Sequence, residues 1–210
     1  MMPAPSFEHA VFTIGHSTHA IDRFVALLRQ HGVTAVADVR SMPYSRFQPQ
    51  FNRGPLAEAL KGQGIAYVFL GQELGARSED KSCYENGRVQ YRRLAKTETF
   101  RAGLERVCSA KESHRIALMC AEREPLECHR TLLVSRELAA AGISVVHIHD
   151  DGHLESHPDA MKRLLTLVRL PDQDLFRSQS ELIEEACAFQ ESRVAYVDVK
   201  LAREADQGGR

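Results

Sequence analysis

Two cysteines, a histidine, an arginine and a glutamate fall within eleven residues of one another: Cys120, Glu122, Cys128, His129 and Arg130. Thiolate and imidazole groups act as nucleophiles, proton carriers and metal ligands, so this one stretch could support covalent, acid–base or metal chemistry. Cys120 closes an apolar run at residues 116–119, and the loop behind it ends where a helix begins. A thiol under the positive end of a helix dipole and near Arg130 is expected to ionise near neutrality, which makes Cys120 the expected nucleophile. The competing reading is plain packing, because a free cysteine also behaves as a small apolar residue. Helix starts prefer acidic or neutral residues, so His129 and Arg130 in that position call for an anion. A phosphate, sulfur oxyanion or carboxylate held by Arg130 and Arg40 would meet that need, as would an internal salt bridge to Asp38, Glu122 or Glu127.

Further candidates stand after other apolar runs. His16 follows Gly15 and is placed to act as a base or ligand, with Ser17 and His19 beside it. Asp38 and Arg40 end a second run, ahead of Tyr44, Ser45 and Arg46. His16 or His129 would move protons, Asp38 would assist them, and Ser17, Ser45, Glu122, Arg40 and Arg130 would contact substrate. Cys128 is a second thiol of open role. A metal site could be assembled from His16, Cys120, Cys128 and His129, although seven residues between the cysteines is not a common zinc spacing. His147 and His149 alternate along a strand, so at most one faces the site. Cys108 and Cys187 fit helical packing positions, while Cys83 lies in a polar loop as an exposed thiol.

The elements that must position these residues alternate in type. Apolar runs at residues 11–14, 33–39, 65–70, 115–120 and 143–148 read as strands. Helical spacings fall between them: Ser17 or Thr18 would cap the first, Pro55 would open the second and Thr97 would cap the third, and residues 128–141 would form the fourth. This pattern implies an α/β fold, a three-layer parallel-sheet domain of about five strands with helices on both faces. Residues 1–150 would carry the site, and residues 151–210 would form a C-terminal helical extension packed on the same domain. The polar stretch 71–93 is either a lid or decoration. In open parallel sheets ligands bind beyond the carboxyl ends of the strands, and the reactive residues collect at that edge.

Composition limits the partners. With 210 residues and a formal net charge of −1, the chain has no general basic field to attract a polyanion. The local cluster of Arg88, Arg92, Arg93 and Lys96 reads as a solvated helix face, so nucleic acid is a disfavoured partner. The first nine residues lack the charged start and apolar run of a secretory signal, and no stretch is long enough to span a membrane. A cytoplasmic location is expected. The odd count of five cysteines fits a reducing compartment.

Several separated motifs resemble the family called domain of unknown function 488: Thr13-Ile14-Gly15-His16-Ser17, Asp38-Val39-Arg40 with Pro43 and Ser45, and Cys120-Ala121-Glu122 with Pro125 and Cys128-His129-Arg130. That family name carries no established activity. A weaker similarity is to the rhodanese-like sulfurtransferases, in which a strand ending in Asp-Val-Arg and a strand ending in a catalytic Cys recur. It implies a persulfide on Cys120 cradled by loop amides, with Arg130 binding the anionic donor. The loop over residues 120–130 is longer than that cradle and contains a second cysteine and Pro125.

Three functions follow as expectations. The leading one is a cysteine-dependent enzyme, a transferase or hydrolase, acting on a small anionic or nucleotide-like group with Cys120 as nucleophile. The second is a Cys/His metal-dependent hydrolase or redox protein, and the third a noncatalytic nucleotide or nucleic-acid binding module. Sulfurs within bridging reach of one ion favour the second, and a lone Cys120 over a ring of amides favours the first.

Overall fold

The computed structural model describes residues 9–208. All but the last of the nine residues read above for a secretory signal lie outside them. The chain begins with β1 (Val11–Gly15), α1 (Ile21–Gln30), β2 (Ala35–Asp38), α2 (Arg53–Lys61) and β3 (Ala66–Phe69). A hairpin of β4 (Tyr84–Glu85) and β5 (Arg88–Val89) leads into α3 (Tyr91–Leu94), α4 (Glu98–Ala110) and β6 (Ile116–Cys120). A π-helical segment, Arg130–Ser135, runs on as α5 (Arg136–Ala140). Last come β7 (Val145–Ile148), β8 (Leu154–Ser156), α6 (His157–Leu167), α7 (Gln179–Val194) and α8 (Val199–Gly208).

The main sheet has six strands in the order β3-β2-β6-β1-β7-β8. Five pair in parallel and β8 runs antiparallel to β7 at the edge. All five parallel strands stand where the apolar runs predict them, and β1, β2, β6 and β7 are buried along their whole length. Burial on both faces explains why these strands are continuous apolar runs rather than alternating ones. Phe12, Ile14, Val36 and Met119 pack against Phe24, Leu27 and Leu28 of α1 and Leu56 and Leu60 of α2. Val11, Ala37, Leu118 and Cys120 face the opposite core, with Phe100 and Val107 of α4, Leu138 of α5, Leu164 of α6 and Leu182 of α7. The result is the expected three-layer arrangement.

Connections on the two faces reverse direction at β1 and β6. The helices after β1 and β2 cover one face, and those after β3 and β6 cover the other. Neighbouring β1 and β6 therefore send their connections to opposite faces at the carboxyl edge, the usual ligand position in such sheets.

Several expectations change. The extension after residue 150 is not purely helical, because β8 extends the main sheet before α6 begins. The 71–93 stretch is no free lid: Leu74, Cys83, Val89 and Tyr91 are buried in the core, and Tyr91 N–H donates to Glu191. Cys83 is thus a packing residue, not an exposed thiol. Thr97 caps α4 as expected, accepting from the Phe100 amide at 3.2 Å. Neither Ser17 nor Thr18 caps α1, whose N-cap position is Ala20. The predicted helix over residues 128–141 takes a π turn first, with Ser135 Oγ donating to the Arg130 carbonyl at 2.7 Å. Between α7 and α8 an isolated bridge joins Val197 to Arg88 of β5.

Candidate metal centre at the carboxyl edge

β6 delivers Cys120 to the carboxyl edge, and the loop after it returns through a 3-10 turn, Pro125–Glu127, to Cys128 and His129. The loop crosses directly over the end of β1. His16 N–H donates to the Cys120 carbonyl at 2.9 Å and Ser17 N–H to the Ala121 carbonyl at 3.0 Å. Gly15 is the residue that permits this crossing, since a Cβ there would lie 1.9 Å from the Glu122 carbonyl oxygen.

The crossing gathers four donor side chains. Cys120 Sγ, a Glu122 carboxylate oxygen, Cys128 Sγ and a His129 ring nitrogen all lie within 4.8 Å of one another. His129 Nδ1 is 3.7 Å from Cys120 Sγ and 3.9 Å from Cys128 Sγ. Its Nε2 lies 3.0 Å from the Val39 carbonyl. A carbonyl can only accept, so Nε2 carries the hydrogen and Nδ1 faces the sulfurs. Cys128 donates to Glu122 Oε2 at 3.0 Å. Both sulfurs are buried, His129 is half-buried, and residue 122 is exposed overall although its carboxylate turns in against Cys128.

Charge is distributed unevenly over the cluster. Burial, Cys128 and Glu122 push the Cys120 thiol up. Against the opposing effect of burial, a bond from Cys120 and the nearby Arg130 and His129 hold Cys128 well down. His129 rises, because Cys128 and Glu122 outweigh the burial that disfavours its charge. Burial and Cys128 push Glu122 up. These surroundings favour negative charge on Cys128 over Cys120, the thiol that helix position points to. The Arg130 amide, 3.4 Å from Cys128 Sγ, is the backbone donor on that sulfur.

The arginines have other work than holding an external anion. Arg130 is fully buried and clamps the loop, donating to the Glu122 carbonyl at 2.6 Å and the Arg123 carbonyl at 3.2 Å. No carboxylate pairs with it among the described residues, and its Nε lacks a partner. A buried cation without a counter-charge favours negative charge nearby, and Cys128 is the sulfur on which that charge is favoured. Arg40 is held by Asp38 through Nε at 2.9 Å and a second bond at 2.7 Å. It also donates to the Phe51 carbonyl and to His16 Nε2, at 2.8 and 3.1 Å. Asp38 accepts from Tyr67 as well, at 2.8 Å.

His16 is equally committed. Its Nδ1 meets the Ser17 carbonyl at 2.9 Å and its ring stacks on Phe51 at 4.3 Å. Burial and then Arg40 pull it down to about 4. Asp38, Arg40 and His16 thus form a buried network beside the cluster, with no ring nitrogen of His16 left to ligate. Ser17 adopts a left-handed φ of 47° and contributes its backbone. Ser45 organises its own loop, accepting from the Phe47 and Gln48 amides, both at 3.2 Å. His147 faces Thr13 and His157 inside the molecule, and His149 pairs with Glu155, so neither joins the cluster.

Sequence reasoning missed Val39, whose carbonyl orients His129, and Tyr91, whose phenol is pushed up by burial and then by Cys128. A backbone carbonyl leaves no residue-type signal. Tyr91 lies in a polar stretch whose packing only the tertiary fold reveals.

No curated protein and no solved structure matches this chain. Nothing found supports the rhodanese-like similarity, and Cys120 lies beside a second thiol. Among the described residues, no helix is long and apolar enough to cross a membrane. Residues 20–137 match the domain of unknown function DUF488, a span that includes Asp38, Arg40 and the whole stretch from Cys120 to Arg130. The chain therefore belongs to the DUF488 family.

Proposed function

We propose that the chain is a metal-dependent hydrolase whose centre consists of Cys120, Cys128, His129 and Glu122. The observation that carries this reading is the convergence of four donor atoms, two sulfurs, one nitrogen and one oxygen, within 4.8 Å. A tetrahedral zinc site with about 2.3 Å Zn–S and about 2.0 Å Zn–N bonds has donor-to-donor edges of roughly 3.5 Å, and sulfur-to-nitrogen separations of 3.7 and 3.9 Å need little closure to meet it. The orienting bond from His129 to Val39 is the usual companion of a ligating imidazole.

Two sulfurs and an imidazole, with a glutamate on a residue that reaches the surface, match sites that keep one position for water or substrate. A thiophilic divalent ion bound there would supply Lewis-acid activation of that water. Glu122 can leave the ligand set and accept a proton at its carboxylate. Arg130 keeps the loop closed and balances the charge of the sulfurs, and the Asp38–Arg40–His16 network supports the neighbouring strand ends. All five cysteines are free, which supports function in a reducing compartment such as the cytoplasm.

The second reading is thiol catalysis, favoured by the depressed Cys128 and its bond from the Arg130 amide. That chemistry would centre on Cys128, with Cys120 as its partner. Elemental analysis of protein purified without chelators separates the two. The metal reading expects close to one thiophilic ion per chain, lost in Cys128→Ala and in Cys120→Ala. Metal-free protein whose Cys128 alkylates rapidly at pH 7 supports thiol catalysis instead.

A further inference from the structure

The segment after β2 carries a feature that the metal centre does not use. From residue 40 to residue 57 there are three arginines and no acidic residue. Within it Met42, Tyr44 and Phe47 are 61%, 69% and 74% exposed, the largest concentration of exposed apolar side chains at the carboxyl edge. Such residues on a slack loop would carry little meaning. This loop is tightly built.

Ser45 N–H donates to Asn52 Oδ1 at 2.6 Å and Arg53 N–H to the Pro43 carbonyl at 3.1 Å. Ser45 Oγ accepts from two amides, and Gln50 donates to Gln48 and to the His19 carbonyl, at 2.7 and 3.2 Å. Beneath the loop, Phe51 is fully buried against His16 and Phe24. The fold thus pins both ends of the loop and leaves its aromatic rings outside. Arg46 lies 4.6 Å over the Phe47 ring and Arg53 lies 4.7 Å over the Phe69 ring, so cationic groups and π faces are interleaved.

Rigid exposed rings interleaved with arginine, in a stretch free of acids, are what stacks unpaired bases and neutralises the phosphates between them. A protein partner would be expected to use an apolar core with a mixed-charge rim, which this segment lacks. We infer that residues 42–47, with Arg53, form a stacking platform for single-stranded nucleic acid at the carboxyl edge. The inference stands apart from the metal reading, because platform and centre share no side chain.

The test is fluorescence anisotropy of a short labelled single-stranded oligonucleotide with the full chain, loaded with zinc and stripped of metal, across a salt series. Binding should survive metal removal and fall at least tenfold in the double variant Tyr44→Ala/Phe47→Ala, which removes two base-stacking faces. Two phosphate contacts give a log–log salt slope of about −1.4, which Arg46→Gln/Arg53→Gln should flatten. A duplex of the same sequence should bind more weakly, because its bases are already stacked. The inference is overturned by absent binding, by binding that the aromatic double variant leaves unchanged, or by equal affinity for the duplex. It is also overturned if sedimentation reveals a self-association that the aromatic variant abolishes while the oligonucleotide does not bind. Metal stoichiometry is read separately, so either proposal can fail alone.

Discussion

His129 presents Nδ1 to Cys120 Sγ at 3.7 Å because its other nitrogen is engaged by the Val39 carbonyl at 3.0 Å. The imidazole is thereby fixed in the tautomer and orientation a metal requires before any ion arrives. Replacing it with glutamine, which is of similar size and polar, removes one ligand and leaves the fold intact. His129→Gln should lower zinc affinity at least about 100-fold, beyond the 10–100-fold typical of losing an orienting partner. Competition with a chromophoric chelator measures it, with circular dichroism verifying the fold.

Gly15 governs the loop by its lack of a side chain. A Cβ would meet the Glu122 carbonyl oxygen at 1.9 Å and its carbonyl carbon at 2.8 Å, and both are backbone atoms that cannot rotate away. Gly15→Ala should cost about 3 kcal/mol of stability, at the upper end for overpacking, read from the urea midpoint and slope. Zinc binding should weaken with it, because the displaced loop carries Glu122. A variant with unchanged midpoint and metal affinity would mean that the loop does not cross β1 closely.

His16 gives the protein a pH dependence of definite sign. Its ordinary value of 6.5 falls to about 4 in the folded chain, through burial and then Arg40. Between these values the unfolded chain binds the proton and the folded chain does not. Stability from this group is therefore complete above about pH 6.5 and is lost as pH falls toward 4. Between pH 7.5 and 4.5 the wild type should lose about 2 kcal/mol more than His16→Gln, compared by urea titration at the two pH values. Equal losses would indicate that His16 titrates normally in the fold.

The legible parts of the molecule were those where residue type and position act together. Runs such as residues 116–120 are apolar throughout because both faces of the strand are covered, and this signal located β1, β2, β6 and β7, while the edge strand β3 was read from an apolar run that is only partly buried. β8 escaped because Leu154–Ser156 is short, half-buried and polar, and it becomes a strand only by pairing with β7. The two-residue strands β4 and β5 carry too little pattern to be read.

At the site, the edge rule brought Cys120, Glu122, Cys128 and His129 to one place. Their roles were not legible. Helix position alone suggested an ionised Cys120, yet its sulfur sits beside Cys128 and Glu122, and both disfavour a second negative charge. Likewise Arg40 and Arg130 looked like anion receptors, but one is engaged by Asp38 and the other by loop carbonyls. Sequence spacing reveals which residues can approach the edge. It does not reveal which hydrogen-bond partners they acquire there.

The central claim concerns the immediate surroundings of a bound ion, which X-ray absorption at the zinc edge measures directly on the loaded protein. The account predicts a first shell of two sulfurs at about 2.3 Å and two nitrogen or oxygen atoms at about 2.0 to 2.2 Å, with one sulfur lost in Cys128→Ala. A shell without sulfur, or a chain that takes up no stoichiometric zinc while Cys120 and Cys128 are both reduced, would contradict it.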